Sequence, residues 1–320
     1  MAVNSGFFNK NYVYLRRPFF IMIAHQVFIE GILAGNFRII ARALTLVENN
    51  LEPASTLLKN LIIKDNVPVI GITGPPGAGK STLVNAVTEQ FVALGKKVAI
   101  LAVDPTSPFN FGSLLGDRIR MAQQFNNPNV YIRSIATRGA LGGISVKTLE
   151  MLDVLKSSNF DVILVETVGV GQSEVEIAGL ADQTLVVLVP ESGDEIQNIK
   201  SGLMEIAQAF VVNKADRDGA ATFANNLKKL VNEQHQNIPV FKTVADKKEG
   251  ITDLCNWILT AKQITNKRKV MLLAEKAFRI IQYQRTLNIN KLKLREDIDE
   301  ALVLENFNIY RFVENWIKHS

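Results

Sequence analysis

A glycine-rich stretch, Gly74–Thr82, constrains the fold of this 320-residue chain more than any other feature. It reads Gly-Pro-Pro-Gly-Ala-Gly-Lys-Ser-Thr and fits G-x-x-x-x-G-K-[ST], the phosphate-binding P-loop. An apolar run of strand type, Val69–Ile72, precedes it. After it, one face of a helical pattern carries Leu83, Ala86 and Val87. Strand, loop and helix therefore come in the order that a P-loop requires, and the sequence predicts a nucleotide site here.

The residue types in the loop suit a chain of phosphates. Gly74, Gly77 and Gly79 can take positive φ, which lets backbone N–H groups converge on phosphate oxygens. The helix N-terminus adds partial positive charge. We expect Lys80 to reach the β- and γ-phosphates and the Ser81 hydroxyl to bind Mg²⁺. The predicted phosphate-binding residues are Gly74, Pro75, Pro76, Gly77, Ala78, Gly79, Lys80, Ser81 and Thr82.

Apolar strand-like runs alternate with helical patterns from Val67 to about Lys262. Several runs are almost continuous Val, Ile and Leu, as expected of strands buried on both faces. The alternation predicts an α/β fold with a doubly wound, mostly parallel sheet, which binds ligands at the carboxyl ends of its strands. The predicted strands are Val67–Thr73, Lys97–Val103, Val130–Ile135, Val162–Val165, Thr184–Val189, Phe210–Val212 and Val240–Lys242.

The regions that flank the predicted sheet are helical in pattern. Before it, Asn36 is a candidate N-cap for an apolar stripe with i, i+3, i+4, i+7 spacing, which predicts a helical flank packed on the sheet. After Lys262, the stripe Leu273, Ala277, Ile280 and Ile281 predicts a helical appendage that packs on its own sheet or pairs with a second subunit. The predicted division is an extension at 1–24, a helical lead-in at 25–66, a P-loop domain at 67–262 and a helical region at 263–320.

The first residues, 1–24, differ from the rest of the chain. They contain Arg16 and Arg17 before a short apolar run, and no acidic residue. A targeting segment fits this composition, and so does a start codon assigned too early, with Met22 as the true start. No run in the chain reaches the roughly 18 apolar residues of a membrane span, so we expect no membrane partner.

Composition narrows the classes of partner and compartment. The net charge is +5, but Lys and Arg are spread along the chain without a basic stripe interleaved with aromatics, so we expect no nucleic-acid partner. Cys255 is the only cysteine, which excludes an intrachain disulfide and favours a reducing compartment. We therefore expect the cytoplasm, or the mitochondrial matrix if residues 1–24 are a transit segment.

Acidic residues that follow predicted strands are candidate ligands of Mg²⁺. Asp104 and Glu166 each come directly after a predicted strand, where a carboxylate can hold the ion directly or through water. Asp117 is a third acid within reach by a loop. Gly169, three residues past Glu166, could offer a backbone N–H to the γ-phosphate.

An N-K-x-D motif, Asn213–Asp216, follows the strand that contains Phe210–Val212. The Asp216 carboxylate can accept hydrogen bonds from N1–H and the N2 amine of guanine. Adenine has neither donor and would leave the charge unpaired. Asn213 can bond the purine edge or brace the P-loop, and the Lys214 stem can cover the face of the base. The motif predicts GTP rather than ATP.

Several stretches together resemble the MeaB/MMAA (ArgK) family of GTPases, over about residues 36–305. The most specific are Glu166–Glu174 and Arg133–Gly143, which generic GTPases lack. The others are Gly74–Leu83, Val103–Met121, Gly193–Lys200 and Phe210–Asp216. The resemblance implies that this chain is a chaperone of the adenosylcobalamin-dependent methylmalonyl-CoA mutase. It implies that the chaperone needs Mg²⁺ and GTP and binds no cobalamin itself. It also implies a homodimer made by the C-terminal helices.

The resemblance also implies roles for particular residues. Nucleotide-sensing switch loops would lie near Asp104–Arg120, Thr167–Glu174 and Glu191–Lys200. The switch residues implied are Arg120, Gln172 and Asp194; the catalytic residues are Lys80, Asp104, Glu166, Gly169 and Lys200; and Ala245 joins the nucleotide-binding set. The chain departs from the family pattern at Phe111, where Gly is usual, and at 243–250, which lacks the usual Ser before Ala245.

Two other classes of function compete with a GTPase. A P-loop kinase or ATPase acting on a small molecule or a transport protein would use the same phosphate loop, but such kinases rarely need to select guanine. A nucleotide-loaded metal-insertion chaperone would want a Cys/His motif, which one cysteine and three scattered histidines do not supply.

Overall fold

The structure is a computed structural model that describes most of the chain outside the amino-terminal extension and several loops. The described residues are 26–51, 53–104, 124, 126–136, 146–167, 177–191, 203–233, 237–260, 266–303 and 307–319. The predicted extension at 1–24 lies outside them. The chain divides into two compact units, one up to Leu272 and one from Leu273 onward.

The described part of the larger unit contains a seven-stranded sheet with the order β3-β2-β4-β1-β5-β6-β7. All of its neighbouring strands pair in parallel, which confirms the predicted parallel sheet. The strand order reverses beside β1, so a crevice forms at the carboxyl end of that strand. The strands are β1 (Val69–Thr73), β2 (Val98–Asp104), β3 (Val130–Ala136), β4 (Val162–Thr167), β5 (Gln183–Leu188), β6 (Ala209–Val212) and β7 (Val240–Lys242).

Helices cover both faces of this sheet. Their bounds are α1 (Phe37–Glu48), α2 (Pro53–Lys59), α3 (Lys80–Ala93), α4 (Val146–Lys156), α5 (Ala220–Glu233) and α6 (Ile251–Thr260). Shorter helical pieces lie at 26–33, at Ile177–Gly179 and at Met204–Ile206. Helices on both faces of a parallel sheet make the doubly wound architecture predicted from the alternating pattern.

Burial of the central strands explains their near-continuous apolar sequence. Val69 of β1 belongs to one core cluster, together with α1 and α4, and the next residue, Ile70, belongs to the cluster on the opposite face, with α3 and α6. Ile163 and Leu164 of β4 divide between the faces in the same way. Each fully buried side chain of this size contributes about 1.5–3 kcal/mol to folding, which explains why most positions on both faces of the sheet are apolar.

Helix α1 is the predicted amino-terminal flank. The Asn36 side chain caps it, since its Oδ1 accepts hydrogen bonds from the N–H groups of Arg38 (3.1 Å) and Ile39 (3.2 Å). Ile40 and Leu44 are fully buried in the cluster that also holds residues of β1 and β4. The flank therefore packs on the sheet, as its stripe predicts.

The described residues of the smaller unit form helices joined by short non-helical segments. It takes in the end of α7 (Asn266–Thr286), together with α8 (Lys291–Leu302) and α9 (Ile309–His319). The Trp316 indole N–H donates to Asp297 Oδ2 at 2.9 Å and joins α9 to α8. No residue of α8 is buried. The exposed apolar side chains of the unit include Leu273, Phe278, Ile281, Leu292, Tyr310, Val313 and Ile317.

Within the described ranges, no helix is both long enough and apolar enough to cross a membrane.

Candidate functional site

The loop between β1 and α3 curves around a concave backbone surface. Its glycines Gly74, Gly77 and Gly79 all have positive φ, at 137°, 77° and 83°. A Cβ on Gly74 would lie 2.1 Å from the backbone oxygen of Val187, and one on Gly79 would lie 2.5 Å from Asn213 Nδ2. At these two positions a side chain would meet both backbone strain and a clash, so the loop needs glycine. This is the backbone geometry that turns N–H groups toward phosphate.

Lys80, the first residue of α3, lies across the start of this loop. Its ammonium donates to the carbonyl oxygens of Gly74 (2.8 Å) and Pro75 (2.9 Å). The residue is only 7% exposed. Two carbonyl acceptors hold the charge over the loop, where the oxygens of a bound phosphate chain would lie.

Ser81 and Glu166 meet where β1 and β4 run side by side. The Ser81 hydroxyl donates to Glu166 Oε1 at 2.5 Å. Glu166 was predicted to follow its strand, but it lies within β4, paired in register with Ile72 of β1. The sheet continues to Thr167, whose hydroxyl donates to Thr73 Oγ1 at 3.0 Å in the interior. A hydroxyl and a carboxylate are hard oxygen donors, and their adjacency suits Mg²⁺.

Asn213 connects three segments around the loop. Its Nδ2 donates to the Ala78 carbonyl at 2.9 Å, so it braces the P-loop, which was one of its two predicted uses. Its Oδ1 accepts from the Thr243 hydroxyl (3.1 Å) and from the Ala245 N–H (3.2 Å). The residue is 2% exposed. The buried amide fixes the segment after β7 against the segment after β6.

Lys214 and Asp216 lie on the outer side of Asn213. Lys214 has a positive φ of 54°, and its ammonium donates to the Gly77 carbonyl at 2.8 Å. The Asp216 carboxylate is partly exposed and pairs with the Lys247 ammonium at 2.9 Å. That hydrogen bond lowers the pKa of Asp216 and raises the pKa of Lys247. Asp216 is therefore an anion at neutral pH, as an acceptor for two N–H donors must be.

The structure describes only some of the predicted site residues, and it brings several of these together around the P-loop. Lys80, Ser81, Glu166, Asn213 and Ala245 surround the P-loop within hydrogen-bonding networks. For Asp104 the backbone alone is described, and it ends β2. The predicted residues that lie outside the described ranges are Asp117, Arg120, Gly169, Gln172, Asp194 and Lys200.

Sequence reasoning missed four residues that contribute to the site. Thr243 holds Asn213, Thr73 bonds Thr167 between β1 and β4, and Lys247 pairs with Asp216. The two threonines at 73 and 167 end predicted or observed strands beside the P-loop, which is a usable signal. Nothing in the local sequence distinguishes Lys247 from its neighbour Lys248.

Comparison with known proteins identifies the family. The model of the family described as methylmalonyl Co-A mutase-associated GTPase MeaB matches residues 40–296. A putative GTPase of Pyrococcus horikoshii is 46% identical over 237 residues, which are 71% of this chain and 74% of the relative.

The chain belongs to the MeaB family.

Other relatives agree with this membership. The mitochondrial methylmalonic aciduria type A homolog of Mus musculus is 38% identical over 203 residues, 59% of this chain and 49% of the mouse protein. The crystal structure of a LAO/AO transport system kinase superposes with a TM-score of 0.65 at 25% identity, over 92% of this chain and 98% of the other. As a MeaB-family protein, the chain is a P-loop GTPase, and GTP and GDP are its nucleotides.

Proposed function

We propose that this MeaB-family GTPase is a Mg²⁺-dependent chaperone that gates cofactor loading of an adenosylcobalamin-dependent methylmalonyl-CoA mutase. The GTPase part of this proposal is supported by the hydrogen bonds of Asn213, which connect the N-K-x-D motif to the P-loop and to the segment after β7. The family match supports the mutase half. Cobalamin itself stays with the mutase in this proposal.

Hydrolysis in the proposed site relies on positioning and charge. Lys80 and the backbone N–H groups of the loop would neutralise the charge on the β- and γ-phosphates. Ser81 and Glu166 would hold Mg²⁺, with Asp104 and Asp117 as further carboxylates. Gly169 and Lys200 would complete the γ-phosphate end. The sequence motifs include no residue that must act as a general base on an attacking water, so we expect a slow intrinsic rate that a partner raises.

The metal role of Ser81 gives a direct prediction. We expect Ser81→Ala to raise the Mg²⁺ concentration needed for half-maximal GTP hydrolysis by at least about tenfold, because one oxygen ligand beside Glu166 is lost. Titration of the GTPase rate with Mg²⁺ measures it. Ser55→Ala, the same change at an exposed serine of α2, is the matched control. An unchanged Mg²⁺ requirement in Ser81→Ala would remove Ser81 from the metal site.

The mutase partnership follows the logic of a switch. A loop that is ordered by γ-phosphate can present or withdraw a binding surface, and the family resemblance implies that Arg120, Gln172 and Asp194 belong to such loops. By linkage, a mutase that prefers one nucleotide state must change nucleotide affinity or the rate of hydrolysis. Cytoplasm is the expected location, or the mitochondrial matrix if residues 1–24 act as a transit segment.

Purified mutase from the same cell tests this half of the proposal. We expect it to change the GTPase rate, and Asp194→Ala or Lys200→Ala to reduce that change while GDP binding stays close to that of the unaltered chain. Co-sedimentation with GDP and with a non-hydrolysable GTP analogue gives the state preference. A mutase that neither associates in any nucleotide state nor alters turnover would refute the chaperone role and leave the GTPase.

A kinase is the second candidate function, because the fold is shared with the solved LAO/AO transport system kinase. The bracing of Asn213 against both Ala78 and Ala245 favours a guanine site instead. Turnover of GTP and ATP by the same preparation decides between them. Equal rates with both nucleotides would favour the kinase or ATPase.

We also propose that the carboxyl-terminal helices form a homodimer. In the described residues Leu273 and Ile281 on α7 are 53% and 52% exposed, and such an apolar face needs a partner. We expect the full chain to sediment as a dimer at micromolar concentration and Leu273→Glu with Ile281→Glu to shift it to monomer. Gln284→Glu, at an exposed polar position of the same helix, is the control. A monomeric full chain would contradict the proposal.

A further inference from the structure

The loop that follows β7 is a closed turn. Val244 and Glu249 exchange two backbone hydrogen bonds, of 3.1 and 3.2 Å, and the Lys247 N–H also donates to the Val244 carbonyl at 3.0 Å. Gly250 ends the turn with a φ of +73°, at a place where a Cβ would lie 2.1 Å from the Lys242 carbonyl. This backbone holds its side chains in fixed directions.

The turn is bonded to the N-K-x-D segment at several points. The Ala245 N–H and the Thr243 hydroxyl both reach Asn213 Oδ1. The Ala215 N–H donates to the Thr243 carbonyl at 3.0 Å. The two segments therefore form one unit, and the backbone at the tip of the turn keeps a constant relation to the backbone of Asp216.

Two adjacent lysines at the tip point to different carboxylates. Lys247 reaches Asp216 Oδ2 at 2.9 Å. Lys248, which has a positive φ of 60°, reaches Glu89 Oε2 on α3 at 2.6 Å. Both lysine side chains are more than half exposed, at 54% for Lys247 and 65% for Lys248. Lys247 therefore contacts the carboxylate proposed to read the base, whereas Lys248 forms an ordinary surface ion pair.

A carboxylate that reads guanine must present both oxygens to the base edge. The Asp216 side chain is 41% exposed, so without a partner it would move among several rotamers. Fixing it in one rotamer when guanine binds would then cost entropy and weaken the binding of the nucleotide. The hydroxyl of this turn, on Thr243, is already committed to Asn213, and Val244 has none. The Lys247 ammonium supplies the partner. It uses one lone pair of Oδ2, which leaves Oδ1 and the second lone pair of Oδ2 for N1–H and the N2 amine.

We propose that Lys247 is a positioning residue for guanine specificity, which holds Asp216 oriented for both donors of the base. This inference rests on the proposed GTP site. In this proposal, Lys247 of the turn sets the orientation of the Asp216 carboxylate. An exposed ion pair of this kind has a modest strength, and its loss is expected to weaken GDP binding about fivefold.

Binding of GDP, inosine diphosphate and ADP to the full chain tests it. Inosine keeps N1–H and lacks the N2 amine, so it needs only one oriented oxygen. We expect Lys247→Ala to weaken GDP about fivefold and inosine diphosphate by less, so that the ratio of the two affinities falls. Lys247→Arg should restore most of the ratio because it keeps a donor of the same charge. Lys248→Ala should leave it unchanged, and thermal melting without nucleotide checks that all variants fold alike.

The possible results distinguish a failure of the positioning role of Lys247 from a failure of the guanine site itself. Tighter or unchanged GDP binding in Lys247→Ala, or an unchanged ratio of GDP to inosine diphosphate, would overturn the positioning role and leave the GTP site intact. An unaltered chain that binds ADP as well as GDP would instead overturn the guanine site itself.

Discussion

Replacing Lys80 with alanine is expected to reduce the rate of GTP hydrolysis at least about 100-fold, corresponding to roughly 3 kcal/mol of transition-state stabilisation. The reason is the place of its ammonium. It is held 2.8 Å from the Gly74 carbonyl and is almost fully buried, so its charge acts with little screening by water. Charge accumulates on the transferred phosphoryl oxygens, and a fixed cation there stabilises the transition state.

Single-turnover hydrolysis with excess protein measures this loss apart from product release. Lys96→Ala is the matched control, because that lysine lies just beyond the opposite end of α3 and pairs at the surface with Asp161. Thermal melting of Lys80→Ala checks that the P-loop still folds without the two carbonyl contacts. A variant that melts like the parent and keeps most of its rate would show that hydrolysis takes place elsewhere.

Exchanging Asp216 for asparagine is expected to transfer nucleotide preference from guanine to xanthine. The amide can donate a hydrogen bond where xanthine offers a carbonyl, whereas the carboxylate can only accept. GTP should lose at least about 100-fold in affinity because its two donors no longer meet an anion, on the scale seen when a site built for a hydrogen bond is left unpaired. Xanthosine triphosphate should gain what GTP loses.

Competition between GTP and xanthosine triphosphate for the same preparation measures the exchange. Asp218→Asn provides the control, since Asp218 is an exposed acid two residues further along and has the same charge change. If Asp216→Asn kept its preference for GTP, the base would be read by other groups, and the role of Lys247 would fall with it.

The tertiary contacts also bear on two predictions made for single residues, the use of Asn213 and the position of Glu166. Asn213 had two uses open from sequence, the purine edge or the P-loop. Its amide donates to Ala78 and accepts from Thr243 and Ala245, so it braces the P-loop, and contact with the purine edge stays a prediction. Glu166 was expected after a strand, but pairing with β1 extends β4 to Thr167. Strand ends depend on the neighbouring strand, which local sequence does not contain.

The sequence by itself determined the local structures, because they depend on neighbours in the chain. The spacing of Gly74–Ser81 specifies a phosphate loop, and apolar runs specify strands buried on both faces, with observed ends within about two residues of those predicted. The Asn36 cap and the stripe of α1 are local in the same sense. Family membership follows from such stretches as well.

Only the tertiary structure decided which distant residues meet. The strand order β3-β2-β4-β1-β5-β6-β7 brings Ser81 to Glu166 across 85 positions of the chain, and the turn after β7 brings Lys247 to Asp216 across 31. Periodicity reports which face of an element is buried and is silent on its neighbours. The contacts of Ser81 with Glu166 and of Lys247 with Asp216 join different elements, so they arise from the packing of the fold and not from any single motif.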